Sequence, residues 1–424
     1  MEIQEIADLG PGDRRALFER DAGVEAVRGD VREIVERVRE AGDVALREYA
    51  REFDSVEVGN IEVTDRAERA AEAVDDGVMD AIRTAAHNVR AFHERQLPDD
   101  WREDFGGRML GRRFGPVETA GVYVPGGTAA YPSSALMGVI PAAVAGVDHV
   151  AVATPPAAEL NPVTLAAIDE AGADAVYQVG GAQAIAALAY GTDTVTPVDT
   201  VVGPGNRWVT AAKAEVQGDV RIDFLAGPSE ILVLADGSAN PRLVAADLIA
   251  QAEHDTRAAV ALATPDRNLA AAVAEQIDVQ VPDRDRADVI RGALDNDASG
   301  LFVARSMSEA VLFAESYAPE HLSIVADDDE ALLDRIDSAG SAFLGGASPV
   351  AAGDYASGPN HVLPTGGTAR LHGGLSVDTF LRSTTVQRLS ADGLSDLRET
   401  ITILARAEGL EAHAESIEKR FEEP

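Results

Sequence analysis

The 424-residue sequence predicts an α/β protein with two parallel, doubly wound sheets and helical segments at both ends. Three observations carry this. Short runs of β-branched and small apolar residues alternate with helical periodicity from about residue 117 to residue 344, an order that calls for parallel crossovers. The string Ala-x-Ala-Thr-Pro closes two of those runs, at 151–155 and 261–265, as if two similar halves followed one another. Before and after this region the periodicity is mainly helical.

In order along the chain, residues 29–53 and 64–96 read as amphipathic helices. Val31, Ile34, Val35, Val38 and Ala45 share one face of the first, and charges line the other. His87 and His93 fall in the second helix, where they read as packed or solvated residues. Residues 117–124 read as a strand entering the turn Pro125-Gly126-Gly127-Thr128, followed by a helix over 133–145. Glycines there let backbone N–H groups approach a ligand, and a helix start after a strand suits a phosphate. Strands at 149–155, 175–179 and 200–202 then alternate with helices at 161–172, 181–190 and from the turn Gly203-Pro204-Gly205-Asn206 to about residue 216.

The second series has strands at 230–235, 259–265, 301–304 and 342–344, with helices at 241–254 and 307–317. Between them lies Tyr317-Ala318-Pro319-Glu320-His321, followed by alternating Leu322-Ser323-Ile324-Val325. Pro319 biases Ala318 toward an extended backbone, which places Glu320 and His321 where a loop enters a strand. Taken alone, the pair fits a surface strand entry as well as a catalytic site. Residues 384–421 read as helices with two polar breaks, an arm or a small helical subdomain.

Composition limits the chemistry. With 72 acidic against 36 basic residues the formal net charge is -36, and lysine occurs only at Lys213 and Lys419. Such a surface repels nucleic acid and anionic membranes and is screened by salt, so a salt-adapted cytoplasm is expected. The absence of cysteine excludes disulfides, thiolate metal sites and a cysteine nucleophile. The first residues, Met1-Glu2-Ile3-Gln4-Glu5, lack a basic and apolar leader, and the longest apolar run, 136–147, contains Pro141 and is too short to span a bilayer. Gln251-Ala252-Glu253-His254 and the Gly-rich stretch 352–364, with Asp354 and His361, supply nitrogen and oxygen ligands that suit Zn²⁺, with Mn²⁺ or Co²⁺ as substitutes.

Several stretches then fall into place together: Gly181 to Ala189, Gly203-Pro204-Gly205-Asn206, Ile222 to Glu230, Gln251 to His254, Ala318-Pro319-Glu320-His321, and Ala352 to Gly358. In this order, over nearly the whole chain, they resemble the histidinol dehydrogenase family, here in a salt-adapted, haloarchaeal form. The resemblance implies oxidation of L-histidinol to L-histidine through L-histidinaldehyde with two NAD⁺, on two Rossmann-like domains. It implies one Zn²⁺ per subunit, held by Gln251, His254, Asp354 and His413, the last reaching the neighbouring subunit's site in a homodimer.

By the same resemblance His321 is the base for the alcohol proton and Glu320 activates water. Ser229, Gln251, His254, His321, Asp354, Glu408 and His413 line the substrate, while Tyr123, Gln183 and Asn206 contact NAD. Ser229 could equally be a turn residue and Glu408 a solvated helical acid. His361 is a further expected site residue, and His149 and His372 are left unassigned. No Gly-x-Gly-x-x-Gly follows the first strand, so the cofactor site is atypical.

The resemblance divides the chain into an N-terminal segment 1–17, a discontinuous domain 18–105 plus 230–360, a second domain 106–229 plus 361–380, and an arm 381–424. Three rival readings stay open at this point. One is a dehydrogenase of another small alcohol. The second is a zinc hydrolase that works without NAD. The third is a nucleotide-binding regulator with a structural metal.

Overall fold

The computed structural model describes residues 1–20, 22–126 and 130–422. In chain order the strands are β1 (Ile3–Glu5), β2 (Trp101–Asp104), β3 (Arg108–Pro116), β4 (Thr119–Tyr123), β5 (His149–Thr154), β6 (Ala175–Gln178) and β7 (Thr200–Val202). They continue with β8 (Arg221–Ile222), β9 (Glu230–Ala235), β10 (Ala259–Thr264), β11 (Gly300–Val303), β12 (His321–Val325), β13 (Ser341–Leu344) and β14 (Leu381–Leu389). Two sheets are wholly parallel. One has the order β1-β11-β10-β9-β12-β13, the other β6-β5-β4-β7-β8. The predicted α/β class holds. Of the expected turn after β4, Gly127 and Thr128 lie outside the described residues.

Both parallel sheets lie in one compact unit, Met1–Gln96 with Val117–Phe380. Every residue of β9, β10 and β11 is buried, as strands covered by helices on both faces must be. In the N-terminal segment, β1 extends the six-stranded sheet by pairing Ile3 with Leu301. The helical stretch 28–53 lies beside the other parallel sheet. It packs on the five-stranded sheet, where Val31, Ile34, Val35 and Val38 share a core with Ile185, Leu188, Val209 and Ala212. An apolar stripe carries no address, and here it covers the outer face of the helices Gly181–Tyr190 and Arg207–Val216.

The first predicted helix is in fact two, Arg28–Ala41 and Asp43–Phe53, broken at Gly42, whose φ of 51° and ψ of -129° exclude a side chain. The second is likewise interrupted, giving helices Thr64–Glu68 and Asp76–Glu94 around a short 3₁₀ turn.

The remaining unit, Leu97–Pro116 with Leu381–Pro424, holds the antiparallel sheet β14-β3-β2 and two helices, Ala391–Ala407 and Glu411–Glu418. Residues 384–389, read as helical from sequence, are strand. They belong to β14, which pairs with β3 over its whole length, Leu381 with Pro116 through Leu389 with Arg108. The run Thr384-Thr385-Val386 is β-branched and gains a partner only from a segment about 270 positions earlier, which a local pattern does not reveal.

Candidate active site

One residue's backbone holds the Glu320–His321 pair. The ladder between β9 and β12 begins at Ile231, opposite His321, so Glu230, one residue earlier, has an N–H and a carbonyl available to side chains. Its N–H donates to Glu320 Oε2 at 2.8 Å, and its carbonyl oxygen lies 2.9 Å from His321 Nδ1. A carbonyl can only accept, so Nδ1 carries the hydrogen and Nε2 presents its lone pair. That Nε2 is buried with no hydrogen-bond partner and stands 3.7 Å from Asp354 Oδ1. Burial lowers the imidazole to about 4, against the pull of the Glu230 carbonyl, so the ring is neutral at neutral pH. Burial also pushes the Glu320 carboxyl well above its usual range.

The approach to this pair is strained. The helix Met307–Tyr317 ends on Ala318, whose φ of 47° and ψ of 65° are left-handed rather than extended as Pro319 would favour. Such a conformation costs about 1–3 kcal/mol in a residue with a side chain. It reverses the chain sharply into β12. The turn is fastened by Gly340 and Ser341, whose N–H groups donate to the Pro319 and Glu320 carbonyls at 3.0 and 2.9 Å.

Three of the four predicted metal ligands, Gln251, His254 and Asp354, come from the same edge. Gln251 is buried in the last turn of the helix Pro241–Ala252, with Nε2 unpartnered. Because that helix stops at Ala252, His254 lies in the turn beyond it rather than on its face. Its side chain has exposed surface, yet desolvation lowers its imidazole, and its protonated form would lower His321 and His361 in turn. Asp354 sits near the end of the helix Val350–Tyr355 with its carboxyl raised to about 6 by burial. The Asp354 carbonyl lies 2.8 Å from His361 Nδ1, which leaves the His361 Nε2 lone pair free as well. Ser229, just before β9, is half-buried, and its carbonyl accepts from Ala259 N–H at 3.0 Å. These groups gather at the amino-terminal edge of the six-stranded sheet, opposite to the edge where such sheets ordinarily bind ligands.

The predicted NAD residues obey the ordinary rule on the other sheet. Tyr123 ends β4, and its Oη accepts from Gly181 N–H at 3.1 Å. Gln183 is buried in the first turn of the helix that Gly181 opens. Asn206 is exposed and caps the helix Arg207–Val216, its Oδ1 accepting from Trp208 and Val209 N–H at 2.9 and 3.2 Å. β4 lies between β5 and β7, the point where the winding reverses, and these residues stand at its carboxyl edge. Gly203, at φ 112°, approaches so closely that a Cβ would fall 2.2 Å from the Tyr123 carbonyl oxygen. Lys213, one of the two lysines, is buried beneath this turn. It pairs with Asp223 at 2.5 Å and donates to the Gly203 carbonyl at 2.7 Å.

Glu408 and His413 belong to the smaller unit. Glu408 caps the end of the helix Ala391–Ala407, and His413 stands exposed on the helix Glu411–Glu418.

For a metal, the larger unit offers the Gln251 amide, the His254 imidazole and the Asp354 carboxylate. The buried, unpartnered Gln251 amide fits a site whose remaining partner is a ligand or ion, since its orientation can be reversed to present oxygen. Among the described residues no three His, Asp or Glu side chains form a metal cluster. A set of one amide, one imidazole and one carboxylate from this chain is not such a cluster, so the donor chemistry and that finding agree.

Two residues beside the Glu320–His321 pair were not singled out from sequence, and His93, read there as packed or solvated, proves buried. Glu230 carried one available signal, a carboxylate opening a wholly apolar strand, which demands a partner. Arg20, which supplies that partner, carried none. His93 is fully buried, 3.4 Å from the Asn360 amide nitrogen, which donates to the Met137 carbonyl at 2.7 Å.

With this geometry in hand, comparison with known proteins gives a consistent answer. The family model described as histidinol dehydrogenase matches residues 18–421. Histidinol dehydrogenase of Haloarcula marismortui is 72% identical over 422 residues, and that of Halobacterium salinarum 71% over 424, each covering 100% of both chains. The crystal structure of histidinol dehydrogenase from Elizabethkingia anophelis, 37% identical, superimposes with a TM-score of 0.93 over 99% of this chain and 97% of that one. Sequence, fold and the order of the site motifs agree, and the chain belongs to the histidinol dehydrogenase family.

Proposed function

We propose that the site around His321 and Glu320 carries out both oxidations of L-histidinol to L-histidine, with L-histidinaldehyde between them. The observation that carries this is the His321 ring, held neutral with Nδ1–H on the Glu230 carbonyl and a free lone pair on buried Nε2. His321 Nε2 takes the proton of the substrate hydroxyl. Glu320, one oxygen fixed on Glu230 N–H, takes a proton from the water that adds to the aldehyde. The absence of cysteine rules out a thiohemiacetal, so the aldehyde goes forward as its hydrate. NAD⁺ supplies the hydride acceptor. Tyr123, Gln183 and Asn206 orient it at the carboxyl edge of β4.

Gln251, His254 and Asp354, with His413 of a second subunit, would hold one zinc, whose chemistry is to grip the imidazole and amine of the substrate. Ser229 and Glu408 line the substrate. No described helix is long and apolar enough to cross a membrane. The acidic surface supports a cytoplasmic enzyme that binds neither membranes nor nucleic acid.

NADH formation from L-histidinol in high KCl, with histidine counted in parallel, tests the reading. Two NADH per histidine are expected, lost with a chelator and restored by Zn²⁺. Turnover of another small alcohol with none of L-histidinol would overturn it. Shared sites have their own test. Mixed and refolded His254→Ala and His413→Ala subunits, each inactive alone, should recover about a quarter of the unsubstituted activity, because half the dimers are mixed and each carries one intact site. Mixtures that stay inactive would rule out an exchanged arm.

A further inference from the structure

We infer that Arg20 is a positioning residue, which through a buried ion pair with Glu230 fixes the one backbone segment that holds both Glu320 and His321. The inference rests on the roles proposed above for that pair. Glu230 is an unusual support, because its N–H orients the carboxylate and its carbonyl orients the imidazole. Any displacement of Glu230 therefore moves acid and base together.

The Glu230 side chain is tied down on every side. Arg20 Nε donates to Oε1 at 2.7 Å and Nη2 to Oε2 at 2.8 Å, a two-pronged contact. Gly366 N–H donates to Oε1 at 2.7 Å. Arg20 Nη2 also reaches the Tyr317 carbonyl at 2.9 Å, Nη1 donates to the Leu17 carbonyl, and the guanidinium lies 3.9 Å from the centre of the Tyr317 ring. Arg20 thus joins the N-terminal segment, the end of the helix before the strained Ala318 and the start of β9.

Both side chains are almost wholly buried, at 6% and 1% exposure. Burying two charges removes their hydration, and an apolar pair of similar volume would often stabilise a fold as well or better. What the apolar pair lacks is direction. Only the guanidinium fork sets the position of Glu230 against Tyr317 and Leu17 at once. A bare stability role does not require that geometry, whereas alignment of Glu320 and His321 does.

The test compares the full-length unsubstituted chain with Arg20→Met, Arg20→Lys, Glu230→Gln and the double variant Arg20→Met/Glu230→Gln in high KCl. Each is measured for kcat and for KM of L-histidinol and NAD⁺, with the folded fraction from circular dichroism. Arg20→Met should lower kcat per folded molecule about tenfold to a hundredfold, the scale expected of small misplacements, with both KM values within about twofold. Arg20→Lys should recover part of the loss, since an ammonium keeps the charge but not the fork.

An unpaired buried carboxylate can unfold a protein. The double variant removes both charges and keeps an amide oxygen for Gly366 N–H, and it should fold with the same reduced kcat. A folded variant with unsubstituted kcat and only a lower Tm would overturn the inference, as would equal losses spread into both KM values. Turnover by the unsubstituted chain tests the functional reading separately, so the two failures are distinguishable.

Discussion

His321→Asn lowers kcat for NADH formation from L-histidinol by about a hundredfold to ten-thousandfold, the range for loss of a positioned general base. Asparagine can still donate an N–H to the Glu230 carbonyl, so the bracket that holds the side chain survives. It has no lone-pair nitrogen to replace the buried Nε2. The loss should be concentrated in the first oxidation. Supplied with L-histidinaldehyde, the same variant should form NADH at a rate much closer to that of the unsubstituted chain, because Glu320 takes the proton of the adding water and the tetrahedral oxyanion that results can release hydride without a second base. Equal losses on both substrates would show that His321 acts mainly by shaping the site.

Glu320→Gln has the complementary effect. Glutamine keeps an oxygen for Glu230 N–H, so packing and the start of β12 are preserved, but an amide cannot take a proton from water. Oxidation of L-histidinaldehyde should fall by about a hundredfold or more, while the alcohol step continues. With L-histidinol as substrate, NADH per histidine then rises above two, and aldehyde collects where a carbonyl trap can capture it. A variant that slows both steps alike and releases no aldehyde would assign water activation to another group. The two substitutions together separate the half-reactions, since one residue's backbone supports both side chains.

The fold was legible where its signals are local. Alternating strands and helices, their short turns and the entry of His321 into β12 followed from patterns a few residues long. The misreadings share a cause. Gly42 breaks a helix because its backbone turns where the periodicity continues, and residues 384–389 become strand because β3 lies alongside them. The stripe over 31–45 predicted burial and named no partner for it. Periodicity reports that a face is covered, not by what.

The candidate site divides the same way. By itself the sequence determined the inventory: no cysteine and hence no thiol route, an acidic surface, and a set of amides, imidazoles and carboxylates in an order that resembles one enzyme family. Tertiary structure alone decided the states of those groups. Burial holds the His321 ring neutral and raises the Glu320 carboxyl, and the Glu230 carbonyl selects the His321 tautomer. Arg20 meets Glu230 across 210 positions of chain. The physical reason is that residue type sets what a group can donate, accept or ionise, and those properties are local. Desolvation and the direction of a hydrogen bond depend on neighbours that only the folded chain brings together.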